Sequence, residues 1–242
     1  MVGWASPLGL PSLYHAAKEH HMSADPSSSR QRRSNVRKAV ILVAGLGTRL
    51  LPAAKSQPKE MLPVGRKPCV QYVVEEMVQA GIRQILFVTG RKKTSIEDYF
   101  DADPELERRL QEGGQIGLAD EVSWLDEGDV RFFYTRQPFQ RGTADAVRLA
   151  EDFVGEEPFV VAFGDTIVRG DGHANLVQRL IADYEATSSA CAFAVESVSP
   201  DDIYKYGVVV PAESATRPAF DITGLVEKPD RASAPSNLAI VP

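Results

Sequence analysis

The stretch that most constrains this chain is Ala39-Val40-Ile41-Leu42-Val43 running straight into Ala44-Gly45-Leu46-Gly47-Thr48-Arg49. A short β-branched run closed by glycines has the form of a buried parallel strand. Glycines after such a strand let backbone N–H groups come close to an anion, and consecutive amides in the turn make a concave nest for phosphate oxygens. Arg49 adds a guanidinium whose fork matches phosphate geometry. Two commoner phosphate loops are excluded by the residues beyond Gly47. A Walker A loop ends in Gly-Lys-Ser/Thr, whereas Gly47 is followed by Thr48 and Arg49. A dinucleotide fingerprint needs a third Gly or Ala where Leu50 stands and then a long helix, but Pro52 and Pro58 interrupt that segment. For a bare Gly-x-Gly, a strand-to-helix turn without any ligand remains the alternative.

Runs of the same apolar kind recur at Gln84 to Thr89, Val130 to Thr135 and Phe159 to Phe163. They alternate with helical patterns at Cys69 to Ala80, Ala144 to Phe153 and Asn175 to Ala186, the βα alternation of a parallel sheet wound with helices. The fold class is therefore α/β. After Ser188 strands dominate: Ala190 to Val195, Tyr206 to Val210, Phe220 to Glu227 and Leu238 to Val241. The expected division is a tail over residues 1–37 and one domain over 38–242, with a nucleotide-binding half at about 38–188 and a smaller β-rich half at about 189–242. Residues 1–37 lack periodicity at first and then become rich in Ser and Arg, which suits a disordered extension or, less simply, a binding arm. The Gly- and Asp-rich stretch from Gly113 to Gly128 has the composition of a surface excursion.

A chain of 242 residues with 43% hydrophobic content can bury one large α/β core. Its 33 acidic and 27 basic residues leave a net charge of -6, which favours neither nucleic acid nor an anionic membrane as a partner, so any phosphate site must be local. Cys69 and Cys191 are far apart with no CxxC spacing, so neither zinc nor a disulfide framework is indicated, and a reducing cytoplasm is the simplest setting. No apolar run is long enough to span a bilayer and no export signal is visible, so no membrane association is expected.

A second basic element, Lys55-Ser56-Gln57-Pro58-Lys59-Glu60-Met61-Leu62-Pro63, follows the glycine loop closely. Pro52, Pro58 and Pro63 stiffen it, so Lys59 can be held against the same phosphates as Arg49 at small ordering cost. The stretch Ala39 to Pro63, with GLGTRLLPAAK and then PKEMLPV, resembles the signature of the sugar-1-phosphate nucleotidyltransferases, and most closely their glucose-1-phosphate uridylyltransferase branch. The resemblance covers roughly Lys38 to Ile240. It implies a Rossmann-like, mainly parallel sheet flanked by helices, with a smaller β-rich sugar-binding region.

Further positions take roles from the same resemblance. Ala44, Gly45, Leu46, Gly47, Thr48, Arg49 and Lys59 would hold the nucleotide phosphates, while Gln137 pairs the base edge and Gly142 lets the backbone approach it. Asp165, just past the strand Val160 to Phe163, lies where open α/β sheets bind ligands. A carboxylate there suits Mg²⁺, a turn-capping role is the alternative, and the resemblance implies the metal. Gly207, Glu227 and Lys228 would take the sugar phosphate, although a Glu-Lys pair at a strand end is otherwise an ordinary solvated pair. The family's second metal-binding aspartate has no counterpart here, so the chain is expected to stop short of the family's C-terminal segment.

The implied reaction is Mg²⁺-dependent attack of glucose 1-phosphate on the α-phosphorus of UTP, giving UDP-glucose and pyrophosphate. Arg49, Lys59 and Asp165 carry it, and a homo-oligomer is implied for the complete protein. Two readings stay open beside it. The form Gly142-Thr143-Ala144-Asp145-Ala146-Val147 departs from the GLGHAV-like form of the uridylyltransferase branch, which leaves dTTP or another sugar phosphate as substrates. The other is a non-catalytic nucleotide-binding or assembly domain.

Overall fold

Alternation along the first strand decides where the core lies. In the computed structural model, which describes residues 35–123, 129–168, 175–187, 189–212 and 219–240, β1 (Lys38–Leu42) is buried along its whole length. Ala39 and Ile41, with Val43 beyond the strand, join one apolar cluster, and Val40 and Leu42 join a second. This is the two-sided burial expected of a parallel strand covered on both faces. The segment up to residue 34 of the expected tail lies outside the described residues. Its last part is not tail: Val36 is 3% exposed within the first cluster, and the Arg37 carbonyl accepts from the N–H groups of Arg83 and Gln84.

After β1 the chain makes short turns, a small hairpin of β2 (Pro63–Val64) and β3 (Lys67–Pro68), and helix α1 (Cys69–Gln79). Next come β4 (Gln84–Thr89), α2 (Thr94–Phe100), α3 (Pro104–Glu112), α4 (Ile116–Val122), β5 (Arg131–Arg136), α5 (Thr143–Arg148), α6 (Glu151–Val154), β6 (Phe159–Phe163) and α7 (Leu176–Ala186). The sheet runs in the order β5-β4-β1-β6, and each neighbouring pair is parallel. Val70, Val73, Val74 and Met77 of α1, with Val177 and Ile181 of α7, cover one face. Ala146, Ala150 and Val154 cover the other. Phe87 is fully buried in β4 and stacks on Phe100 and Tyr134 at centroid distances of 5.0 and 5.6 Å. Burying such a ring contributes about 1.5–3 kcal/mol.

The expected helix over Ala144 to Phe153 is two short ones, because the chain tightens at Leu149 and Ala150, whose N–H groups reach back three residues to Ala146 and Val147. Residues 113–123, within the expected surface excursion, are exposed apart from Ala119 and the partly buried Ser123, and they hold a short helix α4 over Ile116–Val122; residues 124–128 lie outside the described residues. Ala119 anchors that helix as its buried residue.

Two compact units are present, one spanning Arg33–Ala190 and one containing Cys191–Val241. The second unit is an antiparallel sheet of β7 (Val195–Ser197), β8 (Gly207–Pro211), β9 (Ile222–Glu227) and β10 (Leu238–Ile240), in the order β7-β10-β8-β9. The expected strand from Ala190 to Val195 forms only from Val195 onward. Its partner β10 pairs Ile240 with Val195, so the residues before Val195 lack a ladder partner among the described residues. No helix of the described residues is long and apolar enough to cross a membrane.

Candidate active site

Strand order places the candidate site. Because β1 has β4 on one side and β6 on the other, the winding reverses direction at its C-terminal end, the position where open α/β sheets receive ligands. The glycine turn leaves from β1 at this point, and Gly164-Asp165 leaves from β6. Ala44 is buried, and its carbonyl accepts a 2.7 Å hydrogen bond from Gln140 Nε2. Among the described residues, no hydrogen bond uses the backbone N–H of Gly45, Leu46, Gly47, Thr48 or Arg49. Consecutive unsatisfied amides in an exposed turn are what an anion-binding nest requires. The guanidinium of Arg49 is likewise exposed and makes no ion pair to the described residues.

Lys59 runs beneath this turn. A Cβ at Gly45 would lie 3.3 Å from Lys59 Cε, and one at Gly47 would lie 3.2 Å from Lys59 Cβ. Gly47 also has φ 66°, where a side chain is disfavoured, so glycine satisfies both the turn and the close approach. The Lys59 ammonium ends on the carboxylate of Asp165, forming an ion pair, and lies 3.9 Å from Glu60 Oε1. The sequence pattern assigns Lys59 to phosphate and Asp165 to metal, and the structure shows that they meet. Among the described residues no turn N–H is bonded to the Asp165 carboxylate, so the capping alternative finds no support there.

Glu60 is not singled out by its sequence, yet it is fully buried behind this pair. Its Oε2 accepts from Lys93 Nζ at 2.6 Å, while Oε1 has no hydrogen-bond partner. Burial holds the Glu60 carboxyl above its ordinary range, and the hydrogen bond and charge of Lys93, with a smaller pull from Lys59, only partly offset it. Nearby, burial and then the charges of Asp165 and Glu60 push the Cys69 thiol up to about 11, which makes it an inert core group. Gly164 lets the strand end close over Glu60: a Cβ there would lie 2.4 Å from Val43 Cγ1 and 3.4 Å from Glu60 Cγ.

Gln137 follows β5 and is 6% exposed, its N–H bonded to the Thr89 carbonyl. Its side-chain nitrogen donates to the Gly142 carbonyl and to Asp145 Oδ2, at 3.2 and 2.8 Å. Gly142, with φ 99°, begins α5, and a Cβ there would meet nothing within 4 Å. Asp145 enters the sequence reading only as part of the Gly142–Val147 stretch, with no role of its own, and Gln140 not at all, because a polar side chain that anchors a loop has no spacing signature. In the second unit, Gly207, Glu227 and Lys228 do come together. Gly207 pairs with Glu227 across β8 and β9, and a Cβ on it would lie 3.0 Å from Glu227 Oε2. Lys228 Nζ is 3.3 Å from Glu227 Oε1, both side chains being exposed, and its backbone adopts φ 47° with its N–H on the Tyr206 carbonyl.

Residues 38–241 match the family described as nucleotidyl transferase. The chain is 48% identical over 206 residues to a protein of Methanocaldococcus jannaschii, covering 85% of this chain and 70% of that one. It is 44% identical over 207 residues to the UTP–glucose-1-phosphate uridylyltransferase of Bacillus subtilis, covering 85% of this chain and 69% of that one. Among solved structures it is similar to a UTP-bound UDP-glucose pyrophosphorylase of Acinetobacter baumannii, with TM-score 0.80 and 42% identity over 85% of this chain and 72% of that one. Since the family match runs through the parallel sheet and the antiparallel one alike, the chain belongs to the nucleotidyl transferase family.

Proposed function

We propose that the protein transfers the uridylyl group of UTP to glucose 1-phosphate, releasing pyrophosphate and UDP-glucose. The observation that carries this reading is the turn of unbonded amides at Gly45–Arg49 lying on Lys59, whose ammonium is held at the strand end by Asp165. The named activity of the Bacillus subtilis relative and the bound UTP of the Acinetobacter structure support it.

The chemistry needs little from the protein beyond position and charge. A sugar phosphate oxygen is ionised at neutral pH and can attack the α-phosphorus in line with no general base. The task is to hold two polyanions together and offset their repulsion, the positioning and electrostatic part of phosphoryl transfer. The amides of Gly45 to Thr48 with Arg49 and Lys59 cradle the triphosphate, and Gln137 and Gly142 address the base. Glu227 and Lys228 suit a ligand with hydroxyls at one end and an anion at the other, and Gly207 leaves room for close approach to the backbone. In this assignment residues 38–188 serve the nucleotide and the strands after them the sugar phosphate.

Asp165 would hold a divalent cation, and we assign Mg²⁺. Among the described residues no group of three His, Cys, Asp or Glu side chains forms a ready cage. One partly exposed carboxylate at a phosphate site fits Mg²⁺, which keeps waters and takes ligands from substrate phosphates. When bound, the ion supplies charge neutralisation at the phosphates. Lys59 must then exchange Asp165 for a phosphate oxygen, so the pair seen here holds the ammonium in reserve close to where it acts. Two free cysteines suit a reducing compartment such as the cytoplasm. The test is pyrophosphate release with UTP, glucose 1-phosphate and Mg²⁺, each omitted in turn. Release that requires all three is expected, and release unaffected by omitting glucose 1-phosphate would refute the assignment.

A further inference from the structure

The amide of Gln137 has both of its hydrogens committed. Nε2 donates to the Gly142 carbonyl at 3.2 Å and to Asp145 Oδ2 at 2.8 Å, and an amide nitrogen carries two hydrogens. Turning the amide over would set Oε1 against a carbonyl and a carboxylate, two acceptors with nothing to donate. The orientation is therefore dictated by its partners. Oε1 itself has no hydrogen-bond partner among the described residues, so its acceptor capacity is unused. Among the described residues, a Cβ on Gly142, whose carbonyl Nε2 holds, would meet nothing within 4 Å.

We infer that Asp145 is a positioning residue that makes Gln137 an acceptor-only reader of the nucleobase, and thereby sets the enzyme against cytosine. The inference rests on the uridylyltransferase reading of the same site and deepens it. Uracil presents N3–H, a donor, between two carbonyl acceptors, whereas cytosine presents a lone pair at N3 and an amino group at C4. An oxygen aimed at ring position 3 accepts from uracil and meets a lone pair in cytosine. A glutamine free to turn would serve both bases, since its NH₂ could donate to cytosine N3. The carboxylate of Asp145, joined by the Gly142 carbonyl, removes that freedom. Thymine carries the same edge as uracil, so Asp145 does not favour dTTP over UTP, and its place in the Gly142-Thr143-Ala144-Asp145 turn is not a thymine signal.

Asp145→Asn is the informative substitution, because an asparagine of the same shape can turn its own NH₂ toward Gln137, leaving only the Gly142 carbonyl to oppose turning the glutamine over. The measurement is kcat/KM for UTP and for CTP, with glucose 1-phosphate and Mg²⁺, in the wild type, Asp145→Asn, Gln137→Ala and the double variant. Asp145→Ser, smaller and also able to donate, serves if the asparagine variant folds poorly. The wild type should prefer UTP. Asp145→Asn should narrow the UTP-to-CTP ratio by about tenfold or more, the scale of one buried hydrogen bond lost or mismatched, with CTP gaining as UTP declines. In the Gln137→Ala background the same substitution should leave the ratio where Gln137→Ala put it, as expected if it acts through the glutamine. An equal decline for both nucleotides, or an unchanged ratio, overturns the role of Asp145 while leaving an active, UTP-preferring wild type untouched. A wild type that forms no UDP-glucose from UTP strikes the functional reading itself, and this inference with it.

Discussion

The ammonium of Lys59 and the carboxylate of Asp165, contributed by segments that come after different parallel strands, form an ion pair at the mouth of the glycine turn. Neither side chain is exposed enough to be dismissed as surface decoration, at 18% and 30%. The pair holds the two charges in place beside the turn.

Lys59→Ala and Arg49→Ala should each depress kcat/KM well before they unfold the protein. Losing one charge-assisted phosphate contact costs about 1.5–3 kcal/mol, or about ten- to 150-fold in rate. Steady-state kinetics beside a thermal melt checks this, and full activity in both variants would remove the phosphate assignment.

Asp165→Asn should abolish the dependence of turnover on Mg²⁺ concentration along with the activity, since the amide keeps the shape but offers no charge to the ion. The melting temperature should move by no more than a few degrees, because the side chain stands at a strand end. A large loss of stability with metal dependence unchanged would show that Asp165 is structural.

Gly164→Ala probes the closeness of the strand end to the core. The new methyl would sit 2.4 Å from Val43 Cγ1, and Val43 is fully buried, so strand end or side chain must shift. Overpacking of this kind costs about 1–3 kcal/mol. Urea denaturation should show the loss, with activity reduced as Asp165 shifts. Unchanged stability would mean that β6 does not approach Val43 as described.

Much of this is legible in the sequence, for reasons that differ from element to element. Gln84–Thr89 and Phe159–Phe163 match their expected bounds, because parallel strands flanked by helices, the buried β4 and the half-buried edge strand β6 alike, are largely continuous apolar runs. Helix α3 escapes the sequence pattern because it buries nothing. It is held by the Asp103 cap, Pro104 in its first turn and the pairs Glu105–Arg109 and Arg108–Glu112, signals that a search for apolar periodicity passes over. The glycine turn and Lys59 are visible as a motif. That Lys59 meets Asp165 is not, since 106 residues separate them, and only the sheet order brings them together. Glu60 sits inside the recognisable PKEMLP stretch, but its burial depends on Lys93 arriving from the loop after β4.

The buried Glu60 carboxyl carries a pH signature. Its value in the folded state is raised, with burial as the leading cause, so the folded protein holds this proton more tightly than the unfolded chain. The stabilisation from this group is complete below the unfolded value of about 4.3 and is lost as pH rises through the raised folded value. Denaturation of wild type and Glu60→Gln, compared from about pH 4 toward neutrality, should show the wild type losing stability relative to the variant. A difference that is flat or opposite in slope would place the Glu60 carboxyl in its ordinary range or below.

Direct displacement at the α-phosphorus of UTP by glucose 1-phosphate sends the two ends of the triphosphate to different products, so each end is followed by its own label. UTP labelled on the α-phosphorus and UTP labelled on the γ-phosphorus are each incubated with the protein, glucose 1-phosphate and Mg²⁺, and the products are separated. The α label should appear in UDP-glucose and the γ label in pyrophosphate, at equal rates and only when glucose 1-phosphate is present. Label recovered in UMP or inorganic phosphate, or no transfer of the α label to the sugar, would contradict it.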